Sequence, residues 1–182
     1  MDRADLILLA FPLYIDVLVY LPTKALEVIA EHRRAAGDGA RLQGLFGLAN
    51  NGFPEAHQNN LALSILRLFA ARSGMTWLGG MALGAGEGIL GGRPLEAKSA
   101  DGIPLFRISQ ALDTAGAALA RGEALPAEAS QGMARVPIPY MPRPIWHRLF
   151  MRGAASFWES GAASHGLSKA DMLGAPYGAP AR

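Results

Sequence analysis

Three short stretches carry residue types suited to binding a flat ring: Pro12–Asp16, Asn50–Pro54 and Gly84–Gly88. Tyr14 and Phe53 are aromatic and can stack on a planar ligand. Asn50 and Asn51 each offer donors and an acceptor to polar ring edges. Gly52, Gly84 and Gly86 have no Cβ, so the backbone beside them can approach ring carbonyls and nitrogens closely. Pro12, Leu13, Ile15 and Asp16 complete the first stretch, and Ala85 lies in the third. Each stretch also has a plainer role. Asn-Asn-Gly is a good turn whatever it binds, and Tyr14 suits packing on a rim. The three gain meaning if the fold gathers them at one edge.

Other chemistries find no support. The chain has no cysteine, which excludes disulfides, iron–sulfur clusters and thiolate nucleophiles and permits a cytoplasmic location. His32, His57, His147 and His165 have no metal-ligand spacing. Neither G-x-S-x-G nor G-x-x-x-x-G-K-[ST] occurs. Gly84-x-Gly86 would need glycine at position 89 to complete a dinucleotide fingerprint, and Ile89 stands there.

The elements that must position these loops follow from periodicity. Leu6–Phe11 is an unbroken apolar run, read as a parallel strand covered on both faces. Pro22–Ala36 has helical spacing, with Arg33 and Arg34 near the end where the helix dipole favours cations. Leu42–Ala49 and Met75–Leu83 are two more strand candidates. Gly79 and Gly80 inside the latter imply a bulge or a close backbone approach. Ala56–Ser73 and Pro104–Arg121 are amphipathic helices, whereas Glu123–Arg135 reads as loop. Alternation of this kind implies a parallel sheet with right-handed crossovers. The three loops then leave the carboxyl ends of three parallel strands and converge on one rim.

The chain of 182 residues, 51% hydrophobic and 18% charged, suits a folded core. Its net charge of +2 comes from scattered lysines and arginines, so no nucleic-acid surface is expected. Residues 6–21 are too short and too interrupted by Pro12 and Asp16 to span a membrane, and the start does not read as a signal peptide. Residues 1–135 form the α/β domain in this reading. Residues 136–182 are a carboxyl-terminal extension, with a proline-rich stretch at Val136–Pro144, an aromatic helix at Ile145–Gly161 and a capping box at Ser168–Asp171. The aromatic helix is read as a lid over the domain, with a membrane-surface role as the alternative.

Phe11-Pro12-Leu13-Tyr14-Ile15-Asp16 with Leu21-Pro22 resembles the loop after the third strand of flavodoxin-like NAD(P)H-dependent FMN reductases. Asn51-Gly52-Phe53-Pro54-Glu55-Ala56 with Asn59 is similar to the loop after their fourth strand. Trp77-Leu78-Gly79-Gly80 and Gly84-Ala85-Gly86 resemble the fifth strand and its exit. Met141-Pro142-Arg143 through Trp158, then His165-Gly166-Leu167 and Pro176-Tyr177, resemble a carboxyl-terminal extension of bacterial members.

The resemblance implies an αβα sheet of order 2-1-3-4-5, with FMN at its carboxyl edge and NAD(P)H as co-substrate. A small-molecule electron acceptor would take the electrons. Pro12–Asp16 and Asn50–Phe53 would flank the isoalloxazine ring. The flavin would do the chemistry, so no catalytic side chain is implied. The chain starts at what would be strand three, without the Ser/Thr/Gly-rich loop that cradles the FMN phosphate. Leu6–Phe11 then becomes an apolar edge, and either a homo-oligomer covers it or the chain is a truncated relative whose natural start lies upstream. The alternative is a non-catalytic interaction module of the same fold without flavin.

Overall fold

The computed structural model describes residues 3–14, 17–90, 93–100, 105–135 and 141–174. It divides into two compact units, Met1–Met141 and Pro142–Arg182. The first is an α/β unit built on three strands: β1 (Leu6–Pro12), β2 (Gly44–Asn50) and β3 (Thr76–Leu83). All pair in parallel in the order β1-β2-β3. This is the arrangement expected for strands three to five of a flavodoxin-like αβα sheet.

Two helices cover one face. They are α1 (Tyr20–Ala36) and α2 (Asn60–Arg72), the latter preceded by a 3₁₀ turn at Ala56–Asn59. Phe11 and Leu13 from the β1 end, Leu26 and Ile29 from α1, and Leu66 and Ala70 from α2 close on Leu45 and Ala49 of β2. Alternate strand residues point to opposite faces, which is why Ile7 and Leu9 join this core while Leu8 does not. Leu66 is fully buried. Truncating such a leucine to alanine costs about 2–5 kcal/mol.

After α3 (Gly86–Leu90), which starts at the rim, α4 (Leu95–Ala100), α5 (Phe106–Ala120) and α6 (Ala127–Ala134) lie on the opposite face. Of these, α6 packs on β3 and α5 packs on α6. The reading of Glu123–Arg135 as loop is corrected here. Ala129 and Met133, four apart, are buried and anchor a short helix that starts just after Pro126. The expected cover on both faces of β1 is also corrected. Leu8 is 50% exposed, and Ala10 and Pro12 are exposed as well. No described strand pairs with the outer edge of β1.

The glycines of β3 do what their spacing implied. Leu45 pairs with Trp77 but Phe46 pairs with Gly79, so Leu78 is the extra residue of a bulge. Gly79 adopts φ 124°, and a Cβ there would lie 2.5 Å from Leu125 Cβ. The closeness is fixed by the Leu125 N–H donating to Leu78 O at 2.6 Å.

Arg33, near the carboxyl end of α1, is buried. It is 8% exposed. Its guanidinium donates to Ser73 O (2.5 Å), Gly74 O (2.9 Å), Arg41 O (3.0 Å) and Gln43 Oε1 (3.0 Å). One side chain thus ties the end of α1 to the α2–β3 turn and to the entry of β2.

The second unit contains α7 (Arg143–Ser164) and α8 (Lys169–Leu173). Trp146 and Phe150, one turn apart, form a tilted ring pair at 5.8 Å. Ser168 caps α8 in the expected capping box with Asp171. The proline-rich residues 136–140 and the Pro176-Tyr177 pair lie outside the described residues.

Candidate functional site

The strands end in step. Pro12 pairs with Asn50, and Asn50 with Leu83. The three loops therefore leave one edge of the sheet, as a parallel arrangement requires. Backbone hydrogen bonds then stitch them together. Leu13 N–H donates to Asn50 O (2.6 Å), and Asn51 N–H donates to Leu83 O (3.1 Å). Ala85 N–H donates to Phe53 O (2.6 Å), and Gly86 N–H to Asn51 O (3.0 Å).

Asn51 is 3% exposed. Its Nδ2 donates to Glu55 O (3.1 Å) and Gln58 Oε1 (3.0 Å). Asn59, fully buried beneath it, reaches Asn51 Oδ1, Ala56 O and Leu83 O at 3.1–3.3 Å through Nδ2. Asn51 touches the site but also pins the loop that forms it. Asn50 is the exposed member of the pair.

Gly84, Ala85 and Gly86 are buried under the second loop. A Cβ on Gly84 would stand 2.6 Å from Pro54 O and 2.7 Å from Ala56 N, so only glycine lets this loop lie down. The Ala85 and Gly86 amides are engaged by the carbonyls of Phe53 and Asn51. Gly84–Gly88 is a loop only at its start, because α3 begins at Gly86. The residue of this segment that reaches the rim cavity is Glu87.

That cavity measures about 400 Å³. Pro12, Leu13 and Tyr14 form one side, and Asn50 to Phe53 the other, with Gln58 and Glu87 completing the wall. Tyr14 is 64% and Phe53 55% exposed, so both rings are available to stack. Ile15 and Asp16 lie outside the described residues. Gln58 and Glu87 carried no signal of their own in the sequence. Glu87 does directly follow the Gly84-Ala85-Gly86 turn, and Gln58 precedes the matched Asn59.

Among the described residues, no Lys or Arg lines this cavity, and its one ionisable carboxylate is Glu87. No group of three His, Cys, Asp or Glu among the described residues could hold a metal ion. No described helix is long and apolar enough to cross a membrane. No family model, curated protein or solved structure matches this chain.

Proposed function

We propose that this chain acts as a flavodoxin-like, FMN-dependent NAD(P)H oxidoreductase and supplies the side of the site that holds the isoalloxazine ring. The observation that carries this reading is the rim cavity between Tyr14 and Phe53, at the carboxyl edge of a parallel sheet. The ring portion of the cofactor fits the residues present. Two exposed aromatic side chains can cover its faces, and the Asn50 amide can bond its polar edge. The phosphate does not find a partner in the same place, since no cationic side chain of the described residues lines the cavity. Charge-assisted contacts of that kind are worth about 1.5–3 kcal/mol each.

When bound, the flavin would accept hydride from NAD(P)H and pass electrons to a small-molecule acceptor. The chain's own part is to bind, orient and cover. Pro12 and Leu13 form an apolar wall that excludes water from one side of the ring. Asn51 and Asn59 hold the opposite wall rigid.

The test is NAD(P)H consumption with FMN or riboflavin supplied, followed by loss of the reduced nicotinamide absorbance. Oxidation above the free-flavin rate is expected with either flavin, and Phe53→Ala should lower it. A rate equal to that of free flavin in both cases overturns the reading.

A second reading has its own observation, the open edge of β1 with Leu8 half exposed beside it. An uncovered parallel-strand edge is a template for pairing. In this reading the chain is a non-catalytic module that associates with a second copy through β1. Light scattering should show a dimer that Leu8→Lys dissociates, and a monomer at micromolar concentration contradicts it.

A further inference from the structure

The net charge of the chain is unevenly shared between its two units. Residues 142–182 hold five Arg and Lys against two Asp and Glu, whereas residues 1–141 hold twelve against thirteen. The positive excess therefore belongs to the unit built on α7 and α8. Charge asymmetry of this kind points to an anionic partner. The one carboxylate of α7, Glu159, is held by Lys169 at 2.5 Å. What α7 offers a partner is thus the charge of Arg143, Arg148 and Arg152.

The faces of α7 are sorted. At about 100° per residue, Trp146, Phe150 and Phe157 fall within ~40° of one another, and Leu149 and Trp158 flank them. Arg148, Arg152 and Glu159 fall within ~40° of one another on the opposite side. Arg143 stands in the first turn, where its long stem can carry the charge past the aromatic face. No described residue of α7 is buried. The Phe157 and Trp158 rings meet edge to face at 5.8 Å, yet they remain 59% and 65% exposed.

We propose that α7 is a membrane-surface helix, with its aromatic face in the headgroup–acyl boundary of an anionic bilayer and its arginines on the lipid phosphates. It is not long and apolar enough to cross, so it lies in the plane of the surface. Tryptophan suits that depth, with an apolar ring and one N–H donor. A nucleic acid would need cations and stacking rings along one groove, and here they lie mostly on opposite faces. A second copy would bring together two units of like charge. The proposal is independent of the flavin reading, because no described residue lining the rim cavity belongs to this unit.

The test is co-sedimentation of the full chain with vesicles of phosphatidylcholine alone, or of an equal mixture with phosphatidylglycerol. Binding to the mixed vesicles is expected, falling as salt rises, with little binding to phosphatidylcholine alone. Phe157→Glu should weaken it by roughly tenfold or more, and so should Arg148→Glu combined with Arg152→Glu. Because no described residue of α7 is buried, the urea midpoint of these variants should stay that of the parent. Brominated acyl chains should quench part of the tryptophan emission of the unaltered chain. Trp146→Phe combined with Trp158→Phe should remove that quenching, leaving only the Trp77 emission. Absence of binding to the mixed vesicles overturns the proposal, as does binding that Phe157→Glu leaves intact. Without vesicle binding, a dimer that Phe157→Glu dissociates would assign the face to a second copy, and retention of single-stranded RNA would assign it to nucleic acid.

Discussion

Asn59 Nδ2 donates to Asn51 Oδ1 at 3.3 Å, and both side chains lie beneath the loop that walls the rim cavity. The same Nδ2 faces the carbonyls of Ala56 and Leu83, so one amide joins the second loop to the end of β3. Asn59→Ala takes the donor from Asn51 Oδ1 while Leu83 O keeps the Asn51 N–H, a loss of about 1–2 kcal/mol. Urea unfolding should report this as a lower midpoint at unchanged slope. Hydrogen exchange at residues 51–56 should rise first, because the loop loses its pin.

Gly84 tests the packing of the same loop. Gly84→Ala puts a methyl against Pro54 O and Ala56 N, both backbone atoms that cannot swing aside. The second loop must lift, and ring binding should weaken by roughly tenfold or more at a stability cost of about 1–3 kcal/mol. Gly116→Ala is the control, because a Cβ on this exposed glycine of α5 meets nothing within 4 Å. Flavin titration of the two variants should separate them, and equal affinities would count against the loop packing described here.

Arg33 joins three segments away from the site. Arg33→Met removes donors from the carbonyls of Ser73, Gly74 and Arg41 and from Gln43 Oε1. The expected loss is on the order of 3 kcal/mol in denaturant unfolding. Arg33→Lys should recover little of it, because an ammonium cannot reproduce a planar fork.

The α8 cap gives a pH prediction. Hydrogen bonds from the Ser168 hydroxyl and the Ser168 backbone N–H hold Asp171 below its usual carboxylate range. A carboxylate depressed in the folded state stabilises above its unfolded pKa, and that contribution is lost as pH falls through the folded value. Helical ¹³Cα shifts of Lys169–Leu173 should therefore be flat above about pH 5 and decline in acid. Ser168→Ala should lower them at every pH.

Much of the fold was legible because long apolar periods leave little choice. Leu26 and Ile29, and Ile108 and Ala115, are at helical spacing and all are buried. The Gly79 bulge was legible because glycine inside a strand needs a reason. What escaped notice was short or decided by distant partners. α6 has only Ala129 and Met133 as buried anchors, too few for a visible period. Arg33 was read only as a cation suited to the helix end, because the carbonyls that hold it, at Ser73 and Gly74, lie some forty positions away. At the site, Tyr14, Asn50 and Phe53 were legible as exposed rim residues. Gly84 and Gly86 were singled out for approach to a ligand, and the structure shows that glycine there also lets one loop approach another.

The most direct measurement is the visible absorbance of the purified chain titrated with FMN and, separately, with riboflavin. The flavin bands should shift and sharpen as the ring leaves water. The two flavins should bind with similar affinity, because no described cation of this cavity meets the phosphate. Tyr14→Ala and Phe53→Ala should each weaken both. Spectra identical to those of free flavin up to submillimolar concentration would contradict the account, as would shifts that both aromatic variants leave untouched.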